Sequence, residues 1–143
     1  MNIYKGSPKN LTLCFSIIIT IIFLIIMDLI WFSFSMKTIY MPTIQSIQGN
    51  SMPDKYKFIY GGLVAWVLIA LGINYFVVKN ATNVKNAMVN GALFGLVMYG
   101  IFNGTNYALF EGWNLKTSII DTLWGMYICG SVSGSIFYLK SMY

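Results

Sequence analysis

The sequence contains no histidine and no arginine, and only four of its 143 residues are acidic. The absence of histidine excludes a histidine-ligated metal, haem or quinone site. Nine lysines are scattered singly along the chain, whereas proteins that read nucleic acids rely on arginine and on clustered basic residues. We therefore expect no metal, no cofactor and no nucleic-acid partner.

Cysteine is also scarce. Cys14 and Cys129 each stand alone inside an apolar run, and no CxxC pair is present for a redox or zinc site. We interpret both as small buried hydrophobic residues.

Charged residues make up 9% of the chain and hydrophobic residues 57%, whereas soluble domains carry about 25% charged residues. This composition is typical of a protein dissolved in a lipid bilayer, which a helix of roughly 20 apolar residues can cross. Four such stretches are present, at residues 11–34, 58–78, 87–109 and 117–139. The first is too long for the core of a signal peptide and lacks a cleavage site after it, so we expect it to remain as a helix.

The sequence thus predicts an all-α fold, an integral membrane four-helix bundle formed by a single transmembrane domain over residues 1–143. Mostly short loops make successive spans antiparallel. The one longer connection, residues 35–57, is expected to lie at the membrane interface, where Pro42 would break a continuous helix. Five lysines on one side against four on the other weakly favour cytoplasmic N- and C-termini, and dual insertion stays open.

Polar residues of the four spans fall at a similar depth. Asp28 lies about six residues, or roughly 9 Å, from the middle of the first span, toward the 35–57 connection. Asp121, Asn103 and Asn106 lie toward the same side of their spans. The first part of the second span, which also lies there, contains Tyr60, Gly61, Gly62 and Trp66. Because a carboxylate in a membrane helix costs about 2.5–3.5 kcal/mol, both aspartates are expected to face the bundle interior or water.

Lysine is absent from this depth, so neutral donors must serve the two carboxylates, or one or both carboxyl groups are protonated. Spacing of i,i+3 places Asp28 with Trp31, Asn103 with Asn106, and Asp121 with Trp124 on common helix faces. The alternative is that these polar residues only bond helices together, at about 0.6 kcal/mol per contact. An asparagine would do that without the cost of a charge, so the two aspartates favour a site.

The predicted ligand-binding set takes in polar and aromatic residues from all four spans, with no catalytic residue among them. Its members are Asp28, Trp31, Tyr60, Tyr99, Asn103, Asn106, Asp121 and Trp124.

Small residues recur four apart in the third and fourth spans, a pattern that allows helix backbones to approach closely. The pairs are Gly91 and Gly95, Gly100 and Gly104, and Gly130 and Gly134. We interpret them as internal helix contacts, although the stripe at Gly130 and Gly134 would also suit a homodimer.

Three segments carry a resemblance to a known family: "MDLIWF", "NGALFGLVMYG" and "TNYALFEGWNLKTSIIDTLWG". From about Cys14 to Leu139 the chain resembles the small predicted four-helix bacterial membrane proteins of domain of unknown function 2177. The resemblance implies the four-span fold but no activity. It marks as motif positions Asp28, Trp31, Asn106, Gly112, Trp113, Asp121, Trp124 and Gly125. Where the family usually has an acid, this chain has Asn103.

These features favour a polar, aromatic-lined pocket in one leaflet that binds or transports a small solute or a proton through Asp28 and Asp121. One alternative is a structural or assembly protein of the membrane whose buried polar residues only hold helices together. Another is an intramembrane enzyme with two carboxyl groups as acid and base, which the lack of histidine, nucleophile motifs and a soluble catalytic domain disfavours. The expected partners are the lipid bilayer, a small-molecule ligand and a second copy of the chain.

Overall fold

A computed structural model describes residues 9–50 and 54–142, which contain helices, turns and short connections but no strand. The α-helices in chain order are α1 (Lys9–Ser35), α2 (Met41–Gln48), α3 (Lys55–Gly72), α4 (Val84–Leu109) and α5 (Leu115–Ser141). A π-helical turn, Met36–Tyr40, joins α1 to α2, and α3 continues through a π-helical turn, Ile73–Val77, and a 3-10 turn, Val78–Asn80. The chain therefore forms four long helical rods, which confirms the predicted all-α bundle.

The bundle has large apolar side chains outside, and its interior holds polar side chains alongside an apolar core. On α1 the inward positions Ser16, Thr20 and Asp28 are at most 5% exposed. Phe15 and Leu29, on the other side of the same helix, are about 60% exposed. Only a lipid environment makes this distribution favourable, because lipid solvates the outer apolar side chains and leaves polar groups to find partners inside. Cys14 of α1 is exposed as well, so its interpretation as a buried residue was wrong, whereas Cys129 is buried as predicted.

By length and composition, three of the rods in the described part of the chain are apolar enough to cross a membrane: Thr12–Gln48, Lys55–Asn80 and Val84–Leu109. The fourth, α5, is 27 residues long but is less apolar and is not among them. Its inward side carries Gly125, Cys129, Gly130, Ser133 and Gly134, all buried. Because other helices cover α5, it needs fewer large apolar residues than they do, and its passage through the membrane stays a prediction.

The connection expected over residues 35–57 is helical through most of its described length, and Pro42 does not interrupt it. Proline removes an N–H and clashes with the carbonyl four residues before it in a regular α-helix. Here the preceding π-helical turn widens the helix, with the Met41 N–H donating to the Met36 carbonyl, and Pro42 occupies the first turn of α2. The prediction of a break at Pro42 was therefore wrong.

The π-helical turn contains one residue more than a turn of α-helix, which changes the rotation of the first rod after Ser35 and places Thr43 against α5. In a regular α-helix, residues eight apart such as Ser35 and Thr43 point about 80° away from each other, yet both are buried. Thr43 pairs with Thr117 through their hydroxyl groups at 2.8 Å, and the Thr117 hydroxyl also donates to the Ile39 carbonyl at 3.1 Å. This contact holds the π-helical turn against the start of α5.

Side chains of Asp and Asn begin three of the helices. Asp54 accepts from the Lys57 N–H at the start of α3, Asn83 from the Asn86 N–H at α4, and Asn114 from the Lys116 N–H at α5. Such N-caps satisfy backbone donors that have no partner within the helix. The caps at Asn83 and Asn114 follow short connections, residues 81–83 after the second rod and residues 110–114 after α4.

Helices α4 and α5 approach backbone to backbone. A Cβ added at Gly95 would collide with the carbonyl of Gly125, and one added at Gly125 would collide with the ring of Tyr99. Gly130 and Gly134 lie in the same seam, against Met88 and Ala92. Gly130 and Gly134 are therefore covered by α4 and are not available for contact with a second copy of the chain. A homodimer stays a prediction.

Replacing Gly95 with alanine tests this seam. We expect G95A to lower the free energy of unfolding by about 1–3 kcal/mol, because the new methyl group must push α4 and α5 apart. The measurement is thermal or denaturant unfolding of the protein in detergent micelles. The control is G61A on α3, where an added Cβ meets nothing within 4 Å; equal stability of the two variants would contradict the close approach.

Candidate functional site

Asp28 is the inward carboxylate of α1 and is 5% exposed. Its two oxygens accept hydrogen bonds from two indole nitrogens on different helices. Trp66 Nε1 on α3 donates to Oδ2 at 2.7 Å, and Trp124 Nε1 on α5 donates to Oδ1 at 2.8 Å. The Asp28 side chain thus connects α1 to both α3 and α5.

Asp121 is the inward carboxylate of α5 and is 9% exposed. The Tyr40 hydroxyl donates to its Oδ1 at 2.7 Å, and Asn103 Nδ2 on α4 donates to its Oδ2 at 2.7 Å. Tyr40 reaches this position because the π-helical turn lies against the start of α5. Asp121 therefore connects α5 to α4 and to the end of the first rod.

Trp31 and Trp124 link the two carboxylates. Trp31 Nε1 donates to the Tyr40 hydroxyl at 2.9 Å, and the Trp31 ring stacks on Trp124 with centroids 4.6 Å apart and an interplanar angle of 6°. We call the connected set Trp66, Asp28, Trp124, Trp31, Tyr40, Asp121 and Asn103 the acid network.

All the donors to the two carboxylates are neutral. Each of the four carboxylate oxygens accepts from an indole, phenol or amide group, and no lysine joins the network among the described residues. Neutral donors orient a carboxylate and lower the cost of burying it, but they leave its charge uncompensated. The acid network is therefore well bonded and short of positive charge.

The phenol of Tyr99 on α4 completes the surroundings. Its ring lies over Gly125. The backbone carbonyl of Tyr99 accepts a second hydrogen bond from Asn103 Nδ2, at 3.0 Å.

The structure joins five residues of the predicted ligand-binding set in the acid network: Asp28, Trp31, Asn103, Asp121 and Trp124. Tyr99 lies beside them. Tyr60 and Asn106 do not take part: Tyr60 is 65% exposed on α3, and the side chain of Asn106 forms no hydrogen bond to the network.

Sequence reasoning missed Tyr40 as a member of the acid network, and it left Trp66 out of the predicted ligand-binding set although it placed Trp66 in the polar layer. Tyr40 was overlooked because Pro42 two residues later predicted an interfacial connection instead of a helix packed on α5. Trp66 carried a usable signal, because it lies in the same polar layer as Asp28. Trp124 pairs with Asp28 rather than with Asp121 on its own helix. This pairing depends on the rotation of each helix about its axis, which the spacing of residues along the sequence does not predict.

A second polar cluster, which sequence reasoning also missed, lies along α1 and is separated from Asp28 by the buried Leu24. Ser16 Oγ donates to Asn74 Oδ1 at 2.5 Å, and Asn74 Nδ2 donates to Thr20 Oγ1 and to the Ala70 carbonyl, both at 2.9 Å. Asn74 occupies the π-helical turn of the second rod. Both N–H groups of the Asn74 amide donate and its oxygen accepts, so this neutral cluster bonds α1 to the second rod. Every polar group of that amide has a partner within the protein.

One polar atom in the acid network has no partner. Asn103 is 2% exposed, and its Oδ1 is buried without a hydrogen bond. Asn103 also lines a groove of about 240 Å³ between α4 and α5, together with Gly100, Gly104, Ser118, Thr122 and Met126. Within the described residues, no group of three or more Cys, Asp or Glu side chains is placed to hold a metal ion.

The fold and this site together define a helical membrane protein with a buried pair of acids. A family model described as "Predicted membrane protein (DUF2177)" matches residues 13–138, and the chain belongs to that family. No curated protein and no solved structure is similar enough to match it.

Replacing Tyr40 with phenylalanine tests the acid network. We expect Y40F to lower the free energy of unfolding by about 1–3 kcal/mol, because both Asp121 and the Trp31 indole lose a buried partner. The same unfolding measurement in micelles applies. Y60F removes an identical hydroxyl from an exposed tyrosine and should leave stability unchanged; a similar loss in both variants would place Tyr40 outside the network.

Proposed function

We propose that this membrane protein binds a proton or a small cation at Asp28 and Asp121, as the binding step of solute transport or exchange in one leaflet. The observation that carries the proposal is the uncompensated pair of buried carboxylates, held together by neutral donors from all four rods.

The charge balance supports this ligand class. Two carboxylates that repel each other in a low-dielectric interior are stabilised when one of them takes up a proton or when a cation lies between them. Hydrogen bonds from Trp66, Trp124, Tyr40 and Asn103 fix the positions of the oxygens but do not neutralise them. A positively charged ligand supplies what the network lacks.

The donors also determine how a proton can enter. An indole N–H donates but cannot accept a proton, so Trp31, Trp66 and Trp124 cannot pass a proton from one aspartate to the other. Each carboxyl group must exchange its proton with water or with a solute that reaches it. The two aspartates then influence each other through their charges and through the positions of the shared aromatic side chains.

Protonation of Asp28 would alter helix contacts. In the ionised form both oxygens accept from indoles, whereas in a protonated carboxyl group one oxygen becomes a hydroxyl, which is a poorer acceptor. One of the bonds to Trp66 or Trp124 must then weaken, which loosens α1 from α3 or from α5. This coupling of charge to helix contact is what an exchange mechanism requires.

A second function is favoured by a different observation. Each carboxylate oxygen already has a donor, which is also what a purely structural network needs. In that case the acids hold the four rods in register and have no ligand.

Tryptophan fluorescence distinguishes the two functions, because Trp31, Trp66 and Trp124 belong to the acid network. We expect the emission of the protein in lipid nanodiscs to change with pH in a W113F background, since protonation of Asp28 weakens an indole hydrogen bond. D28N should remove most of the change and D121N should shift its midpoint. The other titratable groups facing the pair are Tyr40, Tyr99 and Cys129, and the control variant is D54N at the exposed start of α3.

Tetraphenylphosphonium serves as the cationic probe in the same experiment. If it competes with protons, it should shift the fluorescence midpoint in the W113F protein and not in D28N. An emission that is independent of pH and of the probe, in a protein that stays folded, would contradict the proposal and leave the structural function.

A further inference from the structure

The buried apolar core lies on one side of the acid network. We call the side of the 35–57 connection the near side, which is the C-terminal direction on α1 and α4 and the N-terminal direction on α3 and α5. The buried apolar residues nearest the network are Leu24 on α1, Ile69 on α3 and Ile128 on α5, and Ala87 is the one on α4. All of them lie on the opposite, far side. Among the described residues, every apolar side chain on the near side is at least partly exposed.

One far-side layer of this core can be located from the hydrogen bonds above and below it. Asp28 of α1 bonds to Trp66 at one level, and α1 bonds to Asn74 of the second rod two turns further along. The two helices are antiparallel, and the residues midway between these bonds are Leu24 on α1 and Ala70 on α3. Leu24 and Ala70 therefore lie level with each other on the inward faces of their helices.

Ile128 of α5 completes this level. It follows Trp124, the second donor to Asp28, by four residues, so it lies about one turn further along the same helix face. Leu24, Ala70 and Ile128 are all 0% exposed and belong to one hydrophobic cluster. We call these three residues the Leu24 layer. An apolar constriction excludes water and ions, so the Leu24 layer separates the acid network from the far side.

The near side of the first rod and of α5 has a different interior. In the described part of these rods, all the buried residues between the acid network and the near-side helix ends carry a hydroxyl group: Ser35, Thr43, Thr117 and Ser118. A hydroxyl group both donates and accepts hydrogen bonds, so it can bind water or pass on a proton, whereas an apolar side chain can do neither. The near side therefore has polar groups where the far side has the Leu24 layer.

The first part of α3 adds no apolar layer on the near side. Its large apolar side chains from Tyr56 to Leu68, with the exception of Trp66, are between 41% and 68% exposed. Further along, Gly72 lies so close to the Phe94 ring of α4 that an added Cβ would collide with it. The bundle is thus closely packed on the far side and loosely packed on the near side.

We propose that the acid network takes up protons and small cations from the near side of the membrane only, with the Leu24 layer as the barrier toward the far side. The inference rests on the proposed function, because it assigns a direction to the same binding step. Release to the far side then requires Leu24, Ala70 and Ile128 to move apart.

The test uses the W113F protein in phosphatidylcholine vesicles, where the outer solution and the lumen can differ in pH. The fraction of molecules with the near side outward is measured by labelling K55C with a membrane-impermeant maleimide. Lys55 is exposed at the start of α3. C14S removes the other exposed thiol, and Cys129 is buried.

A stopped-flow drop in the outer pH should change the tryptophan emission rapidly in the labelled fraction alone. The remaining molecules should respond only after a protonophore brings the lumen to the same pH. The titratable groups that face Asp28 and Asp121 are Tyr40 of the first rod, Tyr99 of α4 and Cys129 of α5, whereas α3 faces them with Trp66. Phenol and thiol groups ordinarily titrate above neutral pH, so an acidic jump reports on the carboxyl groups.

Replacing Leu24 with serine tests the barrier. We expect the rapid response in L24S to extend to both orientations, because a hydroxyl group then lies between the acid network and the cluster around Asn74. L29S is the matched control, since Leu29 is 60% exposed on the outer side of the same helix, and it should keep the orientation dependence. A folded L24S protein that also keeps it would overturn the role of the Leu24 layer.

Two results in the unsubstituted layer would overturn the proposal. A rapid response of all molecules, whatever their orientation, would show that no barrier exists, and a rapid response of the unlabelled fraction would reverse the direction. Nanodiscs test the proposed function separately, because both sides of the protein then meet the same solution. Emission that ignores pH in nanodiscs removes the binding step itself, whereas a response there without orientation dependence in vesicles overturns only its direction.

Discussion

Two carboxylates buried among neutral donors are the constraint on which the arrangement of the helices depends. Asp28 and Asp121 each need donors that lipid cannot provide, and each obtains two from neighbouring helices. Meeting that need fixes the rotation of α3 through Trp66, of α4 through Asn103, and of the end of the first rod through Tyr40. The close glycine seam between α4 and α5 then brings Asn103 within reach of Asp121.

The two polar clusters of the bundle differ in one respect that matters for function. The cluster around Asn74 is neutral and completely bonded, as expected of a contact that only holds helices together. The acid network is also bonded, but its two carboxyl groups can ionise, and an ionised carboxylate at the centre of a membrane helix costs about 2.5–3.5 kcal/mol. Amides in place of Asp28 and Asp121 would bond helices more cheaply, and this difference is why we assign the binding role to the acids.

Much of this arrangement follows from helix periodicity and membrane depth. The lengths of the apolar stretches predicted the four rods, and the common depth of Asp28, Asn103 and Asp121 predicted that these residues would meet. Depth alone does not give the rotation of a helix, so Tyr60 and Asn106, at suitable depths, were included although Tyr60 faces outward and Asn106 joins no network bond. Tyr40 was not predicted because the effect of Pro42 depends on whether a π-helical turn precedes it. The groove at Gly100 and Gly104 was not predicted either, because glycines spaced four apart can be covered by another helix, as Gly91 and Gly95 are by α5, or left uncovered.

The measurement that tests the central claim most directly is carbon-13 NMR of aspartate-labelled protein in lipid bilayers over a range of pH. The chain has three aspartates, so the spectrum contains three side-chain carboxyl signals, and the exposed Asp54 provides an internal reference. If the acid pair binds a proton, the signals of Asp28 and Asp121 change with pH in coupled steps, and D121N moves the midpoint for Asp28. If both signals stay fixed, or each titrates without regard to the other, the two acids do not act as a unit and the account is contradicted.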